Sequence, residues 1–200
     1  MTGQPPDLRP QSGHEPARPA PTIAGLREAA AHCTACVLYR NATQTCSVRV
    51  PRGRSLCRSA SSRVTLRTLR VTRLSDRCLA EAGIDRARTH ITNVVKHFKW
   101  VPRGSRRIHA KPGAVDIEAC FPWLEAEIAA VAPRIIIALG ATAAQALFGR
   151  AFRVTKDRSR LMSSALAADV LATVHPSALL RAPDEETRER QIRRFVAIVT

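Results

Sequence analysis

Apolar and polar positions along this chain predict most of its elements. TIAGLREAAAHC, from Thr22, has apolar residues at helical spacing behind a threonine suited to cap the helix. LSDRCLAEAGIDR (74–86) has the same spacing and meets Gly83, where a helix can stop. THITNVV (89–95) reads as a short buried strand leading into KHFKWVPRGSRRIHAKP, a long basic loop with Trp100 in it. AVDIEACFPWLEAEIAAVA (114–132) predicts a helix, interrupted or started afresh around Pro122. RIIIALG (134–140) is apolar without alternation, as expected of a strand covered on both faces. ATAAQALFG (141–149) predicts a helix capped by Gly149, and DVLATVHPS (169–177) a strand ending in a loop. PDEETRERQIRRFVAIV (183–199) is an amphipathic closing helix.

Strands alternating with helices predict an α/β fold, with a mainly parallel sheet between two helical layers. Ligands of such sheets gather at the carboxyl ends of the strands. Asn93, Gly140 and His175 are expected at or near such ends. Residues 1–21 are rich in proline and polar side chains and predict a disordered tail, leaving 22–200 as one domain. The chain has no charged-then-apolar leader and no long uncharged apolar run, so a cytoplasmic protein without a membrane partner is expected.

Residues 46–73 break the texture. CSVRVPRGRSLCRSASSRVTLRTLRVTR scatters arginine among Ser, Thr and Val, and neither helical nor strand periodicity persists. This segment also distorts the charge. The whole chain has 32 basic and 16 acidic residues, a net +16, but residues 46–77 hold nine arginines and one acid, Asp76. The rest of the chain is still at +8, which favours a polyanionic partner, usually nucleic acid.

Several residues carry candidate chemistry. Cys33 and Cys36 form a Cys-x-x-Cys pair, a spacing that suits either a shared metal or two plain helix-end cysteines. Cys120 and His97 flank the basic loop and would complete four ligands, although an unpaired cysteine is often a small core residue. Cys46, Cys57 and Cys78 show no ligand spacing. His109 lies among Arg103, Arg106, Arg107 and Lys111. Clustered cations disfavour imidazolium, so this ring is either a neutral nucleophile or a phosphate contact. His175 opens His-Pro-Ser after a strand, and Ser177 is suited to cap a helix or touch phosphate. Asn93 offers one amide donor and one acceptor to a base edge, or serves as a strand-end turn residue.

Taken together these residues resemble a known family. LREAAAHCTACVLYRNATQT is similar to the opening of the iron–sulfur (family 4) uracil-DNA glycosylases. TNVVKHFKW, GSRRIHAKP, EACFPWL, LGATAAQALFG and TVHPSALLR resemble the UdgX branch, whose Arg-Ile-His loop sets it apart. The likeness covers 22–45 and 75–197. It implies a uracil-DNA glycosylase-like α/β/α sandwich and a [4Fe–4S] cluster on Cys33, Cys36 and Cys120. His97, where family 4 has its remaining cysteine, would be the fourth ligand. It further implies that Asn93 reads a flipped uracil, that His175 steadies the departing base, and that His109 attacks the sugar and stays attached. Arg107 and Ser177 fall to substrate binding. The implied partner is uracil-containing DNA, preferentially single-stranded, met by a monomer in the bacterial nucleoid. Ser105 stands where the branch has lysine, which weakens phosphate attraction.

Two family phrases are missing between NATQT and DRCLAEAGIDR: a Gly-Glu-Gln-Pro-Gly-Asp motif near the sugar and a Pro-Phe-Val-Gly motif whose aromatic ring stacks on uracil. A frameshift accounts for the first. With suitable synonymous codons, SSRVTLRTLRVTR (61–73) read one base earlier becomes Glu-Gln-Pro-Gly-Asp-Ala-Glu-Asp-Leu-Ala-Gly-His-Pro. The expectation is a corrupted strand and pocket floor at about 46–74, a destabilised product and poor activity.

Overall fold

The computed structural model describes residues 21–41, 66–104 and 106–200, with only the backbone described for 66–69, 106, 107 and 109. The tail expected at 1–21, apart from Pro21, and most of 46–74 lie outside the described residues. In chain order the elements are α1 (Ile23–Ala31), α2 (Leu66–Glu81), β1 (Trp100–Arg103), β2 (Arg106–His109), α3 (Ala114–Val131) and β3 (Ile136–Leu139). They continue with α4 (Ala141–Phe148), α5 (Val154–Asp157), β4 (Leu161–Ser164), β5 (Ala167–Thr173), α6 (Pro176–Leu179) and α7 (Glu185–Val199). The described residues fall into two compact units. One holds 21–41 and Thr92–Ala132, the other 66–91 and Pro133–Thr200.

In the first unit, Thr22 caps α1 as its sequence predicts, its Oγ1 accepting the Gly25 N–H at 3.1 Å. Helix α1 packs on α3 through Leu26, Ala30, Cys33, Trp123 and Ala126. Helix α3 differs from expectation, running unbroken through Pro122. An interior proline costs a helix about 3 kcal/mol. Burial of Cys120, Trp123, Leu124 and Ala126 on either side of it offsets that cost. Asp116 closes the helix N-terminus by accepting the Gly113 N–H at 2.7 Å.

The basic loop is also corrected. It folds as an antiparallel hairpin in which Trp100 faces His109 and Arg103 faces Arg106. Gly104, at φ +57, supplies the left-handed backbone of the turn. Residues 89–95, expected as a strand, are not one. A strand needs a neighbouring ladder for its backbone groups, and among the described residues none pairs with it.

The second unit carries a three-stranded sheet in the order β3-β5-β4. Strand β3 runs parallel to β5, with Ile136 beside Val170 and Leu139 beside Thr173. Strand β4, which the sequence pattern had not indicated, is antiparallel to β5. The described sheet is therefore mixed. Its two faces are both covered, because successive strand residues point to opposite sides. Ala138 and Ala172 pack with Ala144 of α4 and Val154 of α5. Leu139 packs on the other cluster, formed by Leu74 and Cys78 of α2, Leu179 of α6, and Ile192 and Phe195 of α7. This is an α/β fold with helices on both faces of its sheet.

Helix α2 begins well before Leu74, inside the stretch where no periodicity was expected to persist. Leucine and arginine are good helix formers. The burial of Leu74 and Cys78, one turn apart, gives that helix a face to dock. Arg77 adds a two-pronged ion pair to Glu189 of α7, at 3.0 and 2.9 Å. No described helix is long and apolar enough to cross a membrane.

Candidate functional site

In the first unit the three candidate cysteines are buried thiols. Cys33 follows α1, and its Sγ accepts the Trp123 Nε1–H at 3.3 Å. Cys36 and Cys120 share one cluster with Leu38 and the half-buried Val95. Burial pushes the Cys120 thiol up to about 11, and the neighbouring Cys36 and Cys33 add to the rise, while the Lys96 backbone N–H donates to its sulfur and opposes it. His97 is buried, and burial lowers its pKa below the ordinary histidine value. Its Nδ1 is buried with no hydrogen-bond partner, an uncommon state for a buried polar atom.

The donor set therefore fits a thiol-liganded cluster in kind: Cys36 packed with Cys120, Cys33 near enough to act on the Cys120 thiol, and an orphaned imidazole nitrogen. It is not a finished cage. Among the described residues, no group of three or more His, Cys, Asp or Glu side chains is arranged to hold a metal ion. Cys78, which lacked ligand spacing, is fully buried core of the second unit. Cys46 and Cys57 lie outside the described residues.

Asn93 is exposed and sits on irregular backbone between Thr92 and the buried Lys96. Lys96 Nζ donates to the Asn93 carbonyl and to Thr92 Oγ1, each at 2.9 Å, and to Glu127 Oε2 at 2.8 Å. Thr92 Oγ1 also donates to Glu127 Oε2. Arg107 and His109 occupy β2, opposite Pro102 and Trp100, with their backbones described.

In the second unit, His175 and Ser177 stand just past the carboxyl end of β5. Ser177 was expected either to cap a helix or to touch phosphate, and it is not the cap. Instead His175 is the cap of α6: its Nδ1 accepts the Ser177 N–H at 3.1 Å and lies 2.9 Å from Ser177 Oγ. A nitrogen that accepts cannot carry the proton, so the neutral ring is protonated at Nε2. The turn thus fixes the tautomer.

Two contributions were not legible beforehand: what Gly140, expected at a strand end, does there, and a buried ion pair. Gly140 holds φ +87 between β3 and α4, and a Cβ there would lie 3.0 Å from the His175 Cβ. Glycine at this position lets the histidine turn approach. A Gly after an apolar strand run was the available signal, but its partner was not. The second is the Lys96–Glu127 pair, both buried, which no local pattern announces. A cavity of about 370 Å³ lies between β5 and α7, lined by Arg158, Arg190 and Arg194 over Thr173 and Phe195; neither His175 nor Ser177 lines it.

Comparison with known proteins agrees with this architecture. The chain is 34% identical over 112 residues to a type-4 uracil-DNA glycosylase of Pyrobaculum aerophilum, covering 52% of this chain and 54% of the relative. It is 35% identical over 119 residues to the type-4 uracil-DNA glycosylase of Thermotoga maritima, covering 59% and 56%. The matched stretch thus spans little more than half the length of each relative. The family model described as the uracil DNA glycosylase superfamily matches residues 68–198. That match takes in α2 through α7, with Asn93, His97, His109, Cys120, His175 and Ser177, and leaves out Cys33 and Cys36. More than half of the chain lies within it, and the chain belongs to the uracil DNA glycosylase superfamily.

Proposed function

We propose that this protein recognises uracil in DNA and breaks its glycosidic bond in base-excision repair, as the hydrolases of its superfamily do, but with His109 in place of water, so that the sugar is captured covalently. The observation that carries the reading is the His175 turn. Its Nδ1 is occupied by the Ser177 N–H, so Nε2 holds the proton at the carboxyl end of β5. A donor fixed in that way, before any substrate arrives, stabilises charge as it develops.

In this mechanism uracil is extruded from the strand into a pocket. Asn93 pairs with its edge. The bond between C1′ and the base nitrogen breaks, and its electron pair leaves with the base. His175 Nε2–H donates to the resulting anion, which takes a proton from solvent. A neutral His109 ring nitrogen gives its lone pair to C1′, and the other ring nitrogen loses its proton. The protein then remains attached to the abasic sugar. Arg107 and Ser177 serve the phosphates. The net charge of +16 supports a DNA partner, and single-stranded substrate, which needs no unpairing, is preferred by a monomer.

Cys33, Cys36, Cys120 and His97 would hold a [4Fe–4S] cluster. Bound there, it would brace the fold around the 92–97 segment; no electron transfer is needed for the reaction above. The frameshift belongs to the same proposal. The superfamily match begins at residue 68, after most of the 46–74 segment, as expected if the Gly-Glu-Gln-Pro-Gly motif was lost there. On this reading the chain as written is weakly active, and a gene restored in frame is active.

One gel tests the reading. Purified protein and its in-frame counterpart are mixed with single-stranded DNA containing one uracil, denatured and separated. Capture gives a shifted band that His109→Ala abolishes. Alkali-cleavable DNA without a shift means a turnover glycosylase in which His109 serves phosphate. DNA left intact by both proteins defeats the proposal and leaves a basic DNA-binding remnant. Iron and sulfide content measured on the same preparation tests the cluster separately.

A further inference from the structure

Helix α3 turns Cys120, Trp123 and Glu127 toward the interior at helical spacing, and each of the three fixes something. Trp123 holds the Cys33 sulfur, and Cys120 accepts the Lys96 N–H. Glu127 takes the Lys96 ammonium. Residue 96 is thus fastened to one helix twice, by its backbone and by its side chain.

The geometry points to the buried Lys96–Glu127 pair as the positioning device that sets base discrimination at Asn93, an inference that rests on the base-reading role proposed above. In so basic a chain the default partner of a lysine near the site is DNA phosphate. Lys96 has none to offer: it is fully buried, and its three ammonium hydrogens are used by Thr92 Oγ1, the Asn93 carbonyl and Glu127. Removing a charge pair from water is costly, and buried pairs are weak sources of stability. What this pair does provide is direction. It clamps the Asn93 carbonyl and the preceding residue to α3, while the Asn93 side chain stays exposed. Among the described residues no strand ladder holds 89–95, and the clamp is the contact that fixes the Asn93 backbone to α3. Lys96 and Glu127 act through Asn93 and touch no substrate.

The test compares binding of the full chain, with His109→Ala in the wild-type reference and in every variant so that no covalent product forms, to two fluorescent single-stranded oligonucleotides that differ only in one uracil or thymine. Lys96→Met/Glu127→Leu replaces the pair with apolar side chains of similar volume, a change often tolerated by folding. Expected is a cooperative melt with unchanged thymine-DNA affinity, and a uracil-to-thymine affinity ratio reduced about tenfold, the worth of one misplaced hydrogen bond. A merely structural role would weaken both oligonucleotides together and leave the ratio alone, and that result overturns the inference. Should the double variant not melt cooperatively, Glu127→Gln is read the same way, with the same two outcomes. Wild-type protein that does not distinguish the oligonucleotides defeats the reading of Asn93 itself, and this inference with it. Discrimination by wild type that persists in a folded variant defeats the inference alone.

Discussion

The two units hold their candidate residues by different physics. At the His175 turn the decisive contact spans two residues, from the Ser177 N–H to the ring that precedes it. The strand β5 and Pro176 deliver that geometry locally. Around Cys120 and Asn93 the decisive contacts are distant in sequence: Lys96 to Glu127 spans 31 residues, and Trp123 to Cys33 spans 90. A locally built site survives as long as its strand does. A site built from long-range buried polar contacts fails when any one member is lost, because the partner left behind is buried and unsatisfied.

That contrast breaks most visibly at Lys96. Lys96→Met leaves Glu127 buried with, among the described residues, only the Thr92 hydroxyl as partner. Removing one member of a buried pair costs about 3–5 kcal/mol, enough to abolish much of the stability of an ordinary domain. Urea unfolding of the full chain should show a loss of that size. A loss below about 1 kcal/mol would mean that the pair relaxes into water and that the first unit is not built on it.

A smaller effect is expected in the second unit. Gly140→Ala places a methyl group 3.0 Å from the His175 Cβ, at a backbone φ of +87. With ψ at 171 this backbone is essentially glycine-only and costs another residue about 1–3 kcal/mol. The new contact also pushes His175 off the Ser177 N–H. Unfolding should therefore report about 1–3 kcal/mol, together with a fall in capture of uracil-containing DNA larger than the stability loss explains. Unchanged capture would detach the His175 turn from the proposed chemistry.

The same division decides what was legible in the sequence. Strand β3, helices α1, α4 and α7, and the strand-end place of His175 follow from apolar spacing and from Thr22, Gly149 and Pro176, all local signals. The hairpin was missed because Gly104 and the alternation of 100–109 sit inside a run so basic that charge masked the period. Residues 89–95 were misread because an apolar run states what would be buried, and not whether a neighbouring strand exists to pair with it. Pro122 was given the local reading that burial of its neighbours overrides. The candidate ligands were found by spacing and resemblance. Gly140 was placed at its strand end, but its approach to His175, 35 positions away, and the pairing of Glu127 with Lys96, 31 positions away, left no periodic trace.

Asp116 supplies the finest test, because its contribution can be titrated. Its carboxylate accepts the Gly113 N–H and the Lys99 ammonium, both at 2.7 Å. Burial alone would raise its pKa, but Lys99 and the Gly113 N–H outweigh burial and hold it below the ordinary aspartate value of 3.8. A carboxylate with a depressed folded pKa contributes stability that is fully present above the unfolded value and lost as pH falls through the folded one. Asp116→Asn keeps an acceptor for the helix end and removes the charge. At pH 7 it should cost about 1 kcal/mol, measured by urea unfolding. The gap between variant and wild type should narrow only below about pH 4, where the unfolded wild-type chain takes up the proton before the folded one does. A gap that stays constant down to pH 3 would show that the carboxylate caps α3 by shape alone and that Lys99 adds nothing. The first unit would then owe its order to the Lys96–Glu127 pair without help from a second buried carboxylate on the same helix.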